Sequence, residues 1–221
     1  MTALVIDGHP NADSFAAEVA RSYAAGFGQA RVLALRDLDF DVHLRAGYSR
    51  AQPLEPDLAA AWSAIEAAEH IVVVTPIWWG ATPALLSGFF DRVLLPRRAF
   101  RFSRLGLPIG MLAGRSGRLL VTTDAPRAFL ALQGDPTVRS VRDGTMKYCG
   151  IAPTAVTRIG PVRSSSSVRR QRWLDDVARI GARDAETVIR SEPKRRRRAA
   201  RLARIPSRPG AGAPAETVTT A

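Results

Sequence analysis

The chain has 221 residues, long enough for one ordinary domain with a full core plus a tail, and its 46% apolar content is that of a globular protein. Its longest apolar stretches are strand-length, which excludes a membrane helix of roughly 20 apolar residues, and its one cysteine, Cys149, excludes an internal disulfide and a cysteine-rich metal cluster. The net charge of +12 is uneven: nine Lys/Arg lie beyond Thr187 against only Glu192 and Glu216, so much of it belongs to the C-terminal end.

Residues 3–6 (Ala-Leu-Val-Ile) read as a short buried strand with no basic leader or cleavage site before it, the pattern expected of a cytoplasmic protein. After the loop at 7–14, Phe15, Val19, Tyr23 and Phe27 fall at helical spacing and place a helix over 15–26. A second strand is expected over 31–35, an irregular stretch over 37–52 and an alanine-rich helix over 57–68. Residues 71–74 are all apolar, which places at 71–75 a strand of a parallel sheet covered on both faces.

Pro83 suits the first turn of a helix over 83–94. A minor strand is expected at 110–112, a fourth main strand at 118–122, a helix at 137–149, a last strand at 155–159 and a last helix at 167–189. This alternation indicates an α/β fold, a doubly wound parallel sheet of five strands with helices on both faces. Beyond residue 190 come Lys194, Arg195, Arg196, Arg197 and Arg198, then Pro, Gly, Ala and Thr. With so little to bury, residues 191–221 are expected to be a disordered basic tail on a domain of residues 1–190.

Open α/β sheets hold ligands beyond the carboxyl ends of their strands, and three loops should meet there. In the first, Gly8-His9-Pro10-Asn11-Ala12-Asp13-Ser14-Phe15, a helix start offers unpaired N–H groups to a phosphate. His9 adds a ring N–H and Ser14 a hydroxyl, although Asp13 or Ser14 acting only as a helix cap explains the same residues. Neither the Gly-x-Gly-x-x-Gly of dinucleotide folds nor the Gly-Lys-Thr of nucleotide hydrolases is present. The second loop carries Pro76, Ile77, Trp78, Trp79 and Gly80. Neighbouring side chains diverge there, so the two indoles cannot both face one interior, and one of them should line a pocket or an interface. The third, Thr122-Thr123-Asp124-Ala125, supplies hydroxyls and N–H groups for a polar ring edge, or is a plain structural turn.

Together these loops resemble the flavodoxin-like NAD(P)H:quinone oxidoreductase family, the group of DT-diaphorase and its bacterial relatives. The resemblance runs over residues 1–181 and rests on Gly8 through Phe15, on Pro76-Ile77-Trp78-Trp79 and on Pro83-Ala84-Leu85-Leu86-Ser87-Gly88-Phe89-Phe90-Asp91-Arg92-Val93. It extends to Ala99-Phe100, the strand before Thr123 and Cys149-Gly150. It implies a flavin whose phosphate engages His9, Asn11, Ser14 and Phe15, whose isoalloxazine lies along Pro76, Ile77, Trp78 and Trp79, and whose pyrimidine side meets Thr122, Thr123, Asp124 and Ala125. Backbone N–H groups of the second loop would receive negative charge at N1 and O2. FAD is favoured over FMN, because the DT-diaphorase-like group commonly uses it. The implied reaction passes hydride from NAD(P)H through flavin N5 to a quinone or similar acceptor, a ping-pong two-electron reduction in a homodimer.

Two departures qualify the resemblance. Asp124-Ala125 replaces the glycines or Met-Asp pair usual after the threonines, and an anion beside the ring would disfavour a reduced flavin unless turned away. No Tyr-x5-His pattern follows Thr123; Pro126, Arg127, Phe129 and Leu130 occupy that region. Phe100 and Phe129 are candidates for the substrate-stacking wall beside Trp78 and Trp79, with core or dimer packing the alternative for Phe100. Cys149 reads as a small buried apolar residue, and His43 as exposed with no metal-ligand partner at useful spacing. The alternative function is a flavin-binding regulatory subunit of a transporter with little turnover of its own. The Arg-rich tail would meet anionic surfaces only nonspecifically, with no specific nucleic acid.

Overall fold

The computed structural model describes residues 2–207. In chain order the elements are β1 (Ala3–Asp7), α1 (Phe15–Phe27), β2 (Ala30–Ala34), a 3-10 turn (Leu35–Asp37), α2 (Pro56–Ala67), β3 (His70–Pro76) and α3 (Ala84–Val93). There follow β4 (Phe100–Phe102), β5 (Pro108–Gly110), β6 (Ser116–Thr122), α4 (Arg127–Leu132) and α5 (Pro136–Val138), which continues as a π-helix over Arg139–Lys147. β7 (Thr154–Ile159) and α6 (Ser167–Ala203) complete the order. Five strands pair in parallel in the order β2-β1-β3-β6-β7, the doubly wound sheet the alternation predicts, while β4 and β5 form a separate antiparallel hairpin.

Alternation along each central strand divides the core in two. Leu4, Ile6, Ile71, Val73, Leu119 and Val121 face α2, α3 and α5, whereas Ala3, Val5, Val72, Val74 and Leu120 face α1 and α6. All residues of β1 and β3 are buried, which explains why neither shows the polar alternation of a half-exposed strand. The helices α1 and α6 meet at glycine: a Cβ on Gly26 would sit 2.0 Å from the Ala178 carbonyl oxygen, and one on Gly181 2.5 Å from that of Tyr23. A helix was not expected at α4, whose six residues follow Pro126.

The boundary at residue 190 does not hold for the described residues. α6 is one helix of 37 residues that passes through Pro193 and ends at Ala203. Its far end is tied down by side chains that composition alone had assigned to solvent. Arg195 is buried and donates to the carbonyls of Gly114, Val188 (2.9 Å) and Glu69 (3.4 Å). Arg198 donates to the carbonyls of Gly150 (3.0 Å) and Ala152 (3.2 Å). Among the described residues no backbone N–H donates to the Gly114, Gly150 and Ala152 oxygens, so guanidinium donors satisfy them, whereas Glu69 O also accepts from Ser116 N (3.2 Å) and Val188 lies within α6. Residues 208–221 of the expected tail lie outside the described residues.

Under α6, at the amino ends of β3 and β6, lies a buried polar chain. His70 Nδ1 meets Ser116 Oγ at 2.8 Å and its Nε2 meets the Tyr23 hydroxyl at 3.0 Å. Tyr23 donates to Asp184 Oδ2 (2.6 Å), and Asp184 is bridged by the Arg118 guanidinium, whose Nη2 reaches Oδ1 at 2.7 Å. Burial, helped by the Arg118 and Arg195 cations and opposed by the Asp184 carboxylate, pulls the His70 imidazole down to about 4. Between the ordinary value of 6.5 and about 4, only the unfolded chain protonates this histidine. Stability is therefore full above that window and falls as pH drops through it, by on the order of 3 kcal/mol. Urea midpoints measured from pH 7 to pH 4 should fall steeply for the parent chain and less steeply for His70→Gln.

Candidate functional site

The register brings the three loops together. β1 ends level with the penultimate part of β3, pairing Asp7 with Val74, while Pro76 pairs with Thr122 and Thr122 with Ile159. Backbone bonds extend the sheet into the loops: Gly8 N donates to Val74 O (2.9 Å), Ile77 N to Thr122 O (2.9 Å) and Thr123 N to Ile159 O (3.0 Å).

The first loop is shaped by Asp7, which the sequence reading did not single out. Its buried carboxylate accepts from His9 N (3.1 Å) and from Arg36 Nη1 (2.6 Å), and the same Arg36 nitrogen reaches His9 O (3.2 Å). A buried strand ending in aspartate was the signal available for it. His9 Nδ1 accepts from Asn11 N (3.0 Å), which leaves the Nε2 hydrogen as a donor. Burial lowers the His9 pKa, outweighing the Asp7 carboxylate, so the ring is a neutral donor near neutral pH. Ser14 caps α1, its Oγ accepting from Ala17 N (3.1 Å), while its own O–H remains to donate. Asn11 closes the turn by accepting from Asp13 N (2.9 Å) through its side chain. Among the described residues no partner is found for the N–H groups of Ala12, Phe15 and Ala16. These three donors at a helix start, with His9 Nε2 and the Ser14 hydroxyl, fit a phosphate. The Phe15 side chain is committed elsewhere, packed on Trp173 and under the Arg170 guanidinium.

The second loop is a tight turn. Trp78 N donates to Ala81 O (3.0 Å) and Ala81 N to Trp78 O (2.8 Å), with Trp79 at φ 55° and Gly80 at φ 72°. Two central residues at positive φ define the type I′ class, where glycine or asparagine is usual. A tryptophan in that conformation costs roughly 1–2 kcal/mol. Neither indole is core: Trp78 is 44% exposed and touches His9 edge-on at 5.4 Å, and Trp79 is fully exposed. The expected role of the backbone here is corrected in detail. Pro76 has no N–H, and those of Ile77 and Trp78 are used inside the fold, so the donors left to a ring edge are Trp79 N and Gly80 N.

In the third loop Thr122 and Thr123 are buried, and Thr123 Oγ1 accepts from Ala125 N (3.0 Å). Asp124 Oδ1 accepts from Arg163 N (2.6 Å), which turns this exposed carboxylate toward the loop after β7. Phe129, half exposed on α4, remains available as a wall. Phe100 does not: it is buried on β4 against Tyr148 (4.9 Å between rings) and Phe102 (5.7 Å), so its expected stacking role is corrected to core packing. Cys149 is buried, which pushes its thiol up to about 12.

A family described by the flavodoxin-like fold matches residues 1–183. The chain belongs to that family. Among curated proteins it is similar to NAD(P)H dehydrogenase (quinone) 1 of Rattus norvegicus, 28% identical over 115 residues that make up 48% of this chain and 42% of that protein. The homologous protein of Cavia porcellus is 24% identical over 102 residues, 44% of this chain and 37% of its own length. The chain thus matches about two fifths of the length of these curated relatives.

Among solved structures, Smu.1420 from Streptococcus mutans superposes with a TM-score of 0.72 at 25% identity, covering 83% of this chain and all (100%) of that one. An NAD(P)H:quinone oxidoreductase from Methanothermobacter marburgensis superposes at 0.67 with 23% identity, over 82% and 98% of the two chains. An FMN-dependent NADH-azoreductase from Bacillus anthracis, in complex with FMN, gives 0.64 at 16% identity over 83% and 99%. The last two are likenesses of fold. No helix among the described residues is long and apolar enough to cross a membrane.

Proposed function

We propose that the chain is a flavin-dependent NAD(P)H oxidoreductase that reduces a quinone or a similar acceptor, working as a homodimer in the cytoplasm. One observation carries this reading: two solvent-facing indoles on a strained type I′ turn stand beside a helix start with unpaired N–H groups. That pairing of flat apolar surface with anion donors suits a cofactor having both a planar ring and a phosphate. When bound, the flavin supplies hydride acceptance from NAD(P)H and onward two-electron transfer, the two substrates using one stacking site in turn.

The chain's own residues orient and polarise. The N–H groups of Ala12, Phe15 and Ala16 hold the phosphate with His9 and Ser14, and Asn11 keeps that loop closed. Trp79 N and Gly80 N are the donors for charge developing on the ring. The exposed Asp124 carboxylate is turned toward the Arg163 backbone N–H. FMN is the better candidate than the FAD first expected, since the azoreductase of like fold is named with FMN and the phosphate donors require no adenine half. Trp79, Phe129 and Leu132 are exposed near this edge and support closure of the site by a second copy.

The test is the purified full chain. It should be yellow, release FMN on heating as identified by mass, and oxidise NAD(P)H with a water-soluble quinone without any added protein. A colourless chain that takes up no flavin overturns the reading. A yellow chain without turnover overturns the enzyme and leaves the transporter-subunit alternative.

A further inference from the structure

Two basic segments far apart in sequence become one surface. Residues 97–110 contain four Lys/Arg and residues 194–207 contain seven, and neither contains Asp or Glu. The β4–β5 hairpin meets the end of α6 through a bridge between Ser103 and Ser207, through Arg104 N donating to Pro206 O (3.3 Å), and through Arg101 on Ser207 Oγ (2.7 Å) and Leu202 O (3.1 Å). Along α6, Lys194, Arg197, Arg201 and Arg204 are all exposed, and their spacing of three, four and three residues sets them on one helix face. Among the described residues none of the four has an ion-pair partner, whereas Arg190 and Arg196 are paired with Glu186 and Glu192.

The hairpin adds apolar surface to this charge. Leu105 and Leu107 flank Gly106 (φ 78°) at its tip and are 87% and 62% exposed. Two leucines left in water beside a row of unpaired cations match the interface of an anionic bilayer, where aliphatic side chains enter below the headgroups and cations meet lipid phosphates. A nucleic acid would use the cations and leave the leucines without a partner. The geometry points to an anionic phospholipid surface as the partner of this face. The face lies at the amino ends of the strands, where Arg195 meets the Gly114 carbonyl and Arg198 that of Gly150, away from the indole turn at the carboxyl edge. Where the oxidoreductase reading holds, such docking presents the enzyme to acceptors dissolved in lipid, but binding itself requires no flavin.

The experiment is co-sedimentation of the full chain with vesicles of phosphatidylcholine alone or with 30% phosphatidylglycerol (about one anionic lipid in three, to give a net negative surface). Binding to the anionic vesicles should exceed that to the neutral ones by at least ten-fold and weaken with salt. Arg201→Glu should lower it about five-fold or more, and Leu105→Ser with Leu107→Ser about ten-fold or more. All variants should keep the parent's unfolding midpoint, since the altered side chains are exposed. Equal partition to both vesicles, or no binding, overturns the proposal. So does retention of full binding by the leucine variant, or tighter binding to a labelled DNA duplex than to anionic vesicles. A change of oligomeric state in the leucine variant would assign the tip to a self-contact and also overturn it. Flavin content, read from the visible spectrum of the same samples, reports separately on the oxidoreductase reading.

Discussion

Replacing Trp78 and Trp79 together with alanine should raise the flavin dissociation constant about 100-fold. Two stacking or edge contacts with a flat ring contribute on the order of 3 kcal/mol in all. The measurement is fluorescence titration of the apoprotein with FMN. A companion variant separates cofactor binding from folding. Trp79→Gly relieves a bulky side chain held at φ 55° and should raise unfolding stability by about 1 kcal/mol while weakening flavin binding. A tryptophan kept only for packing would show the reverse, although this one buries nothing within the chain. Unchanged FMN affinity in both variants would remove the second loop from the site. His9→Ala should act at the phosphate end, weakening FMN more than riboflavin, which lacks that group.

Arg92→Ala should cost about 3 kcal/mol or more, read as a lower urea midpoint at unchanged slope. Arg92 lies in the helix α3 run that carries the family resemblance, yet its side chain is wholly buried and does no chemistry. Its two terminal nitrogens grip both oxygens of Glu55 (2.8 and 3.0 Å), while Nη1 also reaches Asp41 O and Nη2 reaches Pro53 O (2.9 Å). The irregular stretch between the 3-10 turn and α2 is thus pinned to α3 by one guanidinium. Arg92→Lys cannot reproduce the fork and should lose most of the same stability. A double change of Arg92 and Glu55 to Met should recover part of the loss, because no unpaired carboxylate then remains. An Arg92→Ala chain as stable as the parent would show that Glu55 and the loop carbonyls are satisfied by water.

The legible parts of the fold are those set by local pattern. Apolar runs at 3–6 and 71–74 mark buried strands, and the spacing of Phe15, Val19, Tyr23 and Phe27 marks one helix face. The strand edges were missed by a residue or two, because hydrogen bonding rather than side-chain pattern ends a ladder. α4 was missed since its six residues carry too few periods to register. The errors at the C-terminal end have a single cause. Arginine is scored as a solvent residue, so a run of them reads as disorder, although a guanidinium with five donors is well suited to capping carbonyls at a sheet edge.

The same division holds for the site. The sequence by itself determined the class of fold, the three loops and the residue types that suit phosphate and a flat ring, because each depends on neighbours within a few positions. Only the tertiary structure decided which groups are free to act. It spent the N–H groups of Ile77 and Trp78 inside the fold, turned Asp124 toward Arg163, buried Phe100 and brought Asp7 and Arg36 behind His9. It also joined residues 97–110 to the end of α6. Apart from the Trp78 N–H, which its own turn holds on Ala81 O, these outcomes rest on pairings across 29 to 106 positions of sequence, and the partner that satisfies a buried donor or acceptor is set by where the chain returns, which no local pattern records.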